Sequence, residues 1–407
     1  MARPRHGAPL TIVVKLGTSS IVHEKTHQPL LSTLSSIVEV VVHLRSQGHK
    51  VVLVSSGAIG VGLQRMSMPS KPKNLSGKQA LAAIGQGRLI ALWDNLFGQL
   101  GQPIAQVLLT RGDISDRTRY LNAVNTLQEL LSMGVIPIVN ENDTVSVSEI
   151  KFGDNDTLSA ITSSMIHADY LFLLTDVDGL YTANPRKDPT AKLVEIVSSV
   201  AAVRAEVSTA TLGSSLGTGG METKLIAADI ATAAGVATII TSSKRPETMY
   251  DIIEYSSARE PLSRPESPNP SARASPESTA LARPPHTLFT PSETPLRDVK
   301  AWTSHTLNPA GSVIIDAGAH KILAKRESGG RLLAAGVLGV RGHFASGQAV
   351  KIMVRRRPDG GVEDTDREAA HYSIGATTTQ PGTPNLMATA SMSRRSARCH
   401  ARLRARI

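Results

Sequence analysis

The sequence predicts an α/β fold, a three-layer αβα sandwich in which helices cover both faces of a mainly parallel, open sheet. Two observations predict it. Six short runs rich in Val, Ile and Leu recur up to about residue 255 with little polar alternation, as in strands buried on both faces. Helix-length segments separate them, and several close on a glycine (Gly48, Gly134, Gly235), as helix C-termini favour. Such alternation gives parallel strands joined by right-handed crossovers. The strand C-terminal ends then share one edge, where open α/β sheets bind their ligands.

In chain order, residues 1–9 form a flexible N-terminus and 10–255 the α/β domain. Its strands fall at 11–15 (TIVVK), 51–54 (VVLV), 104–109 (IAQVLL), 135–139 (VIPIV), 170–174 (YLFLL) and 237–241 (ATIIT). Its helices fall near 32–47, 76–98, 121–133, 156–167 and 221–234. Residues 256–296 hold nine prolines and eight serines, too little apolar surface to offset ordering entropy, and read as a disordered linker or insertion. Glycine-punctuated alternating runs over 297–358, such as RLLAAGVLGVRG and GQAVKIMVRR, predict a small β-rich module. Beyond it, 359–407 read as a disordered basic tail.

Composition bounds the function. With 407 residues, 41% hydrophobic and 19% charged, the chain can bury a large core, and at 3% aromatic that core is aliphatic. No apolar run nears the ~20 residues a membrane helix requires. Met1–Leu10 lacks a secretory apolar core, and Cys399 is the single cysteine, so disulfide frameworks and Cys-based metal sites are excluded. A cytoplasmic location is expected. The net charge of +10 lies mostly in the tails, since the last 17 residues carry six arginines and no acid. Such a tail attracts nucleic acid non-specifically, or is simply solvated.

The informative residues follow the strands. Lys15-Leu16-Gly17-Thr18-Ser19 offers positive charge, mobile backbone and hydroxyls, which suit a phosphate, though a plain β–α turn reads the same. Ser55-Ser56-Gly57-Ala58-Ile59-Gly60-Val61-Gly62 allows close backbone approach but matches neither dinucleotide nor P-loop spacing. Asn140-Glu141-Asn142-Asp143 and Gly153-Asp154-Asn155-Asp156 concentrate carboxylates and amides beyond what helix capping needs. They suit a substrate amino group, or the positioning of lysines. Thr175-Asp176-Val177-Asp178-Gly179 is either an Asp-Gly turn or part of a nucleotide pocket. Gly217-Thr218-Gly219-Gly220-Met221-Glu222-Thr223-Lys224 opens a helix with three glycines and a lysine one turn inside, which reads as a phosphate cradle or as a flexible loop. Two lysines at separate strand–helix junctions, without a metal-ligand cluster, fit phosphoryl transfer, which needs positioning and positive charge. The 12 histidines are scattered, never at metal-ligand spacing.

The strings VVKLGTS, VSSGAIGVG, SGKQALAAIGQGRLI, QVLLTRGD, PIVNENDTV, EIKFGDNDTLSA, LLTDVDGLYTANP and LGTGGMETKLIAADIATAAG resemble the glutamate 5-kinase branch of the amino acid kinase family, in order, over about 10–245. The resemblance implies that ATP and L-glutamate give ADP and γ-glutamyl phosphate, the first step of proline synthesis. It implies catalytic roles for Lys15, Lys224 and Asp156, with Asp156 orienting the lysines. Ser56, Gly57, Asp143, Asp154 and Asn155 would hold glutamate. Lys15, Gly17, Thr175, Asp176, Thr218, Gly219, Gly220, Met221, Glu222, Thr223 and Lys224 would bind ATP, with Mg²⁺ accompanying the nucleotide and no metal held by the protein alone. The resemblance also implies a homo-oligomer and coupling to glutamate-5-semialdehyde dehydrogenase. Residues 311–352 resemble the PUA domain that follows the kinase domain in many members, without the remainder of that module after about 358. Two other readings stay open: a sibling kinase with another acidic substrate, or an RNA-associated protein with a redundant kinase domain.

Overall fold

A computed structural model describes residues 9–145, 155–206, 220–258, 282–292, 311–323, 332–342 and 350–355. The chain divides into one unit of Met1–Thr110 with Ala123–Pro295 and a second of Arg111–Asn122 with Leu296–Ile407. The first unit opens with β1 (Thr11–Leu16), α1 (Thr18–Ile21), α2 (Leu31–Ser46), β2 (Lys50–Ser55), α3 (Ala58–Arg65), α4 (Leu75–Gly98) and β3 (Ile104–Leu109). After α5 (Arg111–Ser115) and α6 (Arg117–Ser132) come β4 (Ile136–Glu141), α7 (Asn155–Met165), β5 (Tyr170–Thr175), β6 (Ile196–Val197), α8 (Val200–Glu206), α9 (Met221–Ala233), β7 (Ala237–Ser242), α10 (Thr248–Ala258) and β8 (Thr287–Phe289).

The strands form one sheet in the order β3-β4-β2-β1-β5-β7-β8-β6. All neighbours through β7 run parallel. The α/β architecture with a mainly parallel sheet is therefore the one the aliphatic runs predicted. β1 pairs with β2 on one side and β5 on the other, so the strand order reverses there, and the crevice beyond its C-terminal end is a topological switch point. Side-chain alternation divides β1 between the two faces. Ile12, Val14 and Leu16 join residues of α2, α4 and α10 in one apolar core, mostly aliphatic but with Trp93, Phe97 and Phe172 buried in it. Val13 and Lys15 point to the opposite face, where α7 lies.

Gly48, Gly134 and Gly235 do end helices, each at positive φ. The residue after each donates its N–H back into the last turn, as His49 to Leu44, Val135 to Leu130 and Val236 to Ala231, which satisfies carbonyls the helix leaves open.

One expectation is corrected. Part of the 256–296 segment read as a disordered linker belongs to the sheet: β8 pairs antiparallel with β7 and parallel with β6. His286, Thr287 and Phe289 are buried, and the Thr287 hydroxyl accepts from Leu180 N–H at 2.8 Å and donates to the Val194 carbonyl at 2.6 Å. Pro284, Pro285 and Pro291 flank the three-residue strand rather than interrupt it, which is where a sheet tolerates proline. Averaged composition concealed a short apolar insert. In addition, α10 ends at Ala258, three residues past the predicted domain end at 255.

In the second unit, β9 (Gly311–Ile315) is followed by α11 (Ala317–Leu323), β10 (Val337–Gly342) and β11 (Val350–Val354). β9 is central, antiparallel to β10 and parallel to β11, over a small core of Val313, Ile315, Leu332 and Ile352. The predicted tail lies outside the described residues.

Candidate active site

The site is built at the C-terminal end of β1. The strand is buried on both faces, and Lys15 near its end is only 4% exposed. α7 begins opposite it, with Asp156 in its first turn and fully buried. Lys15 Nζ lies 2.5 Å from Asp156 Oδ1. Lys224, one turn inside α9 and also buried, reaches Asp156 Oδ2 at 3.3 Å. Thr223 places its hydroxyl 2.7 Å from the same Oδ2. Its oxygen also accepts the Gly220 N–H at 3.0 Å, so one side chain closes the start of α9 and binds the carboxylate.

Burial alone would push the Asp156 carboxyl up; the Lys15 and Lys224 ammonium groups and the Thr223 hydroxyl outweigh it and hold the group well below the usual carboxylate range. Asp156 is thus an anion shared by two cations contributed by β1 and α9.

Next to this cluster, Ser56 follows β2 and donates its backbone N–H to the Leu16 carbonyl at 3.0 Å, which ties the glycine turn to the end of β1. Gly57 takes φ 107°, and a Cβ there would stand 3.0 Å from Ile21 Cγ2, so the turn requires glycine. Asn155 Nδ2 donates to Ser56 Oγ and to Asn140 Oδ1, each at 2.9 Å. Asn140 Nδ2 donates to Gln86 Oε1 at 2.7 Å. Asn155 Oδ1 is buried and, among the described residues, has no hydrogen-bond partner. Asp143 is half-buried two residues past β4, its carboxyl pushed up to about 6 by burial first and by Glu141 second, against the opposing pull of Lys71.

The other predicted residues divide. Gly17 caps α1 beside Lys15, and a Cβ there would sit 3.6 Å from Lys15 Nζ, which places the turn against the ammonium. Thr175 ends β5, next to β1, and donates to Asp176 Oδ1 at 3.1 Å, while Asp176 Oδ2 pairs with exposed Arg186 at 2.5 Å. Met221 and Glu222 head α9, where Glu222 pairs with Arg204 at 3.2 Å and not with the Asp156 cluster. Asp154, Thr218 and Gly219 lie outside the described residues. Sequence reasoning passed over Gln86 and Arg186, each a single polar residue without a spacing signature, and it named Asn140 only within a cluster. Among the described residues no group of three or more His, Cys, Asp or Glu is placed to hold a metal ion, and no helix is long and apolar enough to cross a membrane.

Residues 10–242 match the amino acid kinase family model. The mainly parallel α/β sheet is the fold class of that family, and with the match spanning more than half of its residues the chain belongs to the amino acid kinase family. A probable glutamate 5-kinase of Schizosaccharomyces pombe is 54% identical over 364 residues, covering 89% of this chain and 84% of that one. A glutamate 5-kinase of Nostoc punctiforme is 49% identical over 342 residues, covering 84% and 85%. Within the family, the chain belongs with the glutamate 5-kinases. Among solved structures, carbamate kinase from Giardia lamblia bound to AMP-PNP covers 60% of this chain and 96% of its own at 17% identity, with a TM-score of 0.44.

Proposed function

We propose how these residues divide the work of a glutamate 5-kinase, which transfers the ATP γ-phosphate to the γ-carboxylate of L-glutamate. The activity follows from glutamate 5-kinase relatives 46–54% identical over most of the chain. The observation that carries the assignment of roles is the convergence of Lys15 and Lys224 on Asp156.

The acceptor oxygen of glutamate is already ionised at neutral pH, so the reaction needs no general base. Its bond to the γ-phosphorus forms as the bond to the ADP oxygen breaks, and charge spreads over the transferring group. Lys15 and Lys224 bind the ATP phosphates and meet that charge on the transferring group, and Asp156 holds both ammonium groups in place beforehand. The glycine turn at Gly17 and the segment Thr218–Lys224 contact the nucleotide phosphates, and Thr175 and Asp176 contact the rest of the nucleotide. Ser56, Gly57, Asp143, Asp154 and Asn155 bind glutamate, with the Asp143 carboxylate and the Asn155 carbonyl suited to its ammonium. Mg²⁺ would accompany ATP as part of the substrate complex and would supply positive charge to its phosphates.

Around this core, the resemblance supports a homo-oligomer, proline biosynthesis as the pathway, delivery of the acyl phosphate to a glutamate-5-semialdehyde dehydrogenase, and a PUA-like second unit. The three-stranded sheet of that unit is compatible with a PUA-like module. ADP release from the full chain with glutamate, N-acetylglutamate and aspartate tests the reading. Release with glutamate alone supports it, and preference for either competitor overturns it.

A further inference from the structure

Helix α4 has no part in the chemistry above, yet it sends one polar side chain to the site. Gln86 Oε1 accepts the hydrogen bond from Asn140 Nδ2. Asn140 Oδ1 accepts both the backbone N–H of Glu141 and Asn155 Nδ2, each at 2.9 Å. A backbone N–H only donates, so the Asn140 atom that faces it must be the oxygen. This one contact sets the polarity of the whole chain. Asn140 turns its NH₂ to Gln86, which must answer with its carbonyl. Asn155 must turn its NH₂ to Asn140, and it also donates to Ser56 Oγ. Both hydrogens on the Asn155 nitrogen are then used, and its buried Oδ1 is left as a lone acceptor among the described residues. Ser56, having accepted from Asn155, keeps its own proton to give. The pair offers a ligand one acceptor and one donor. An ammonium and a carboxylate on the same carbon, the α-substituents of an amino acid, satisfy both.

We infer that Gln86 is a positioning residue for acceptor binding: through Asn140 it fixes which atoms Asn155 and Ser56 present to the amino acid. The inference rests on the reading that Asn155 and Ser56 hold glutamate. Without the Gln86 carbonyl, the Asn140 amide nitrogen loses its partner and the side chain is free to turn away from Asn155. α4 is well suited to the task because Gly85, the preceding residue, brings it against the backbone of α3, which begins directly after the Ser56–Gly57 turn.

The test uses the full chain and four variants: Gln86→Met, Gln86→Glu, Asn155→Ala, and Gln86→Met with Asn155→Ala. Loss of one positioning hydrogen bond should raise the glutamate KM of Gln86→Met by about tenfold. The ATP KM, kcat and melting temperature should stay near those of the parent. Gln86→Glu keeps an oxygen that accepts from Asn140, and its glutamate KM should return to within about threefold of the parent. The double variant should be no worse than Asn155→Ala alone. An unchanged glutamate KM in Gln86→Met beside a raised one in Asn155→Ala overturns the role of Gln86 and leaves the acceptor reading standing. An unchanged KM in Asn155→Ala overturns the acceptor reading itself. Equal losses toward glutamate and ATP with a lowered melting temperature reduce Gln86 to a packing residue.

Discussion

Lys15 and Lys224 reach opposite oxygens of one buried carboxylate, at 2.5 and 3.3 Å from Asp156, although more than two hundred residues separate them in sequence. Parallel pairing of β1 with β5, and of β5 with β7, sets the α7 and α9 N-termini beside the end of β1. If this shared ion pair serves phosphoryl transfer, Lys224→Ala removes a cation that meets charge in the transition state. Turnover should fall by about 100- to 1,000-fold, the usual cost of one such donor. Asp156 keeps Lys15 as a partner, so the variant should remain folded by circular dichroism. Steady-state turnover equal to the parent's removes Lys224 from the mechanism.

Asp156→Asn behaves differently because it leaves two ammonium groups buried without their anion. Breaking a buried ion pair from one side costs about 3–5 kcal/mol, so this variant should lose stability as well as activity. The sign of the pH dependence follows from the lowered carboxyl pKa. The stabilisation is fully present above the ordinary unfolded-state value of roughly 4 and fades as pH falls below it. Urea unfolding from pH 7 down to pH 3 should therefore show a steeper acid loss in the parent than in Asp156→Asn. Parallel curves would mean that Asp156 gains nothing from its lysines.

The residues at the ends of strands were legible because a fully buried parallel strand is a local pattern of Val, Ile and Leu, and because topology sends its C-terminal end to the ligand edge. Lys15, Asp156 and Lys224 each stand at such an end or at a helix start. Sequence could not give their pairing, since no periodicity encodes which strand lies beside which. β8 escaped notice for a related reason: Thr287–Phe289 are too few to show a period and are held by β6 and β7 from either side. Gln86 is the same case in a helix, a lone polar residue that gains meaning only when Asn140 arrives from another strand.

Asp143 gives the acceptor side its own pH signature. Burial and Glu141 raise its carboxyl to about 6, so acid protonates it within the range an enzyme assay can reach. A carboxyl that must be ionised to meet the glutamate ammonium should make kcat/KM for glutamate fall below about pH 6, since this ratio reports the free enzyme. Asp143→Asn should lower kcat/KM at pH 8 and flatten that acid limb. An acid limb retained in the variant assigns the titration to another group. In folding the sign is opposite to that of Asp156: a raised pKa favours the protonated native state, so this group destabilises the fold as pH rises from roughly 4 to 6.

The contact between α3 and α4 can be tested with two glycines on one helix. A Cβ at Gly85 would lie 1.8 Å from the Ala58 carbonyl oxygen and 2.6 Å from Gly62 N, backbone atoms that no rotamer change can move. At Gly87 a Cβ would meet nothing within 4 Å. Helix propensity favours alanine over glycine by about 1 kcal/mol at both positions. At Gly87 nothing opposes that gain, so Gly87→Ala should raise stability by up to that amount. At Gly85 overpacking costs about 1–3 kcal/mol or more, and against backbone the upper end applies, so Gly85→Ala should be destabilised. Because α4 must then move away from α3, Gln86 moves with it, and the glutamate KM of Gly85→Ala should rise while that of Gly87→Ala stays constant. Thermal melts and glutamate titrations of the two variants decide the matter: Gly85→Ala as stable as Gly87→Ala would mean that the helices stand further apart than their glycines imply.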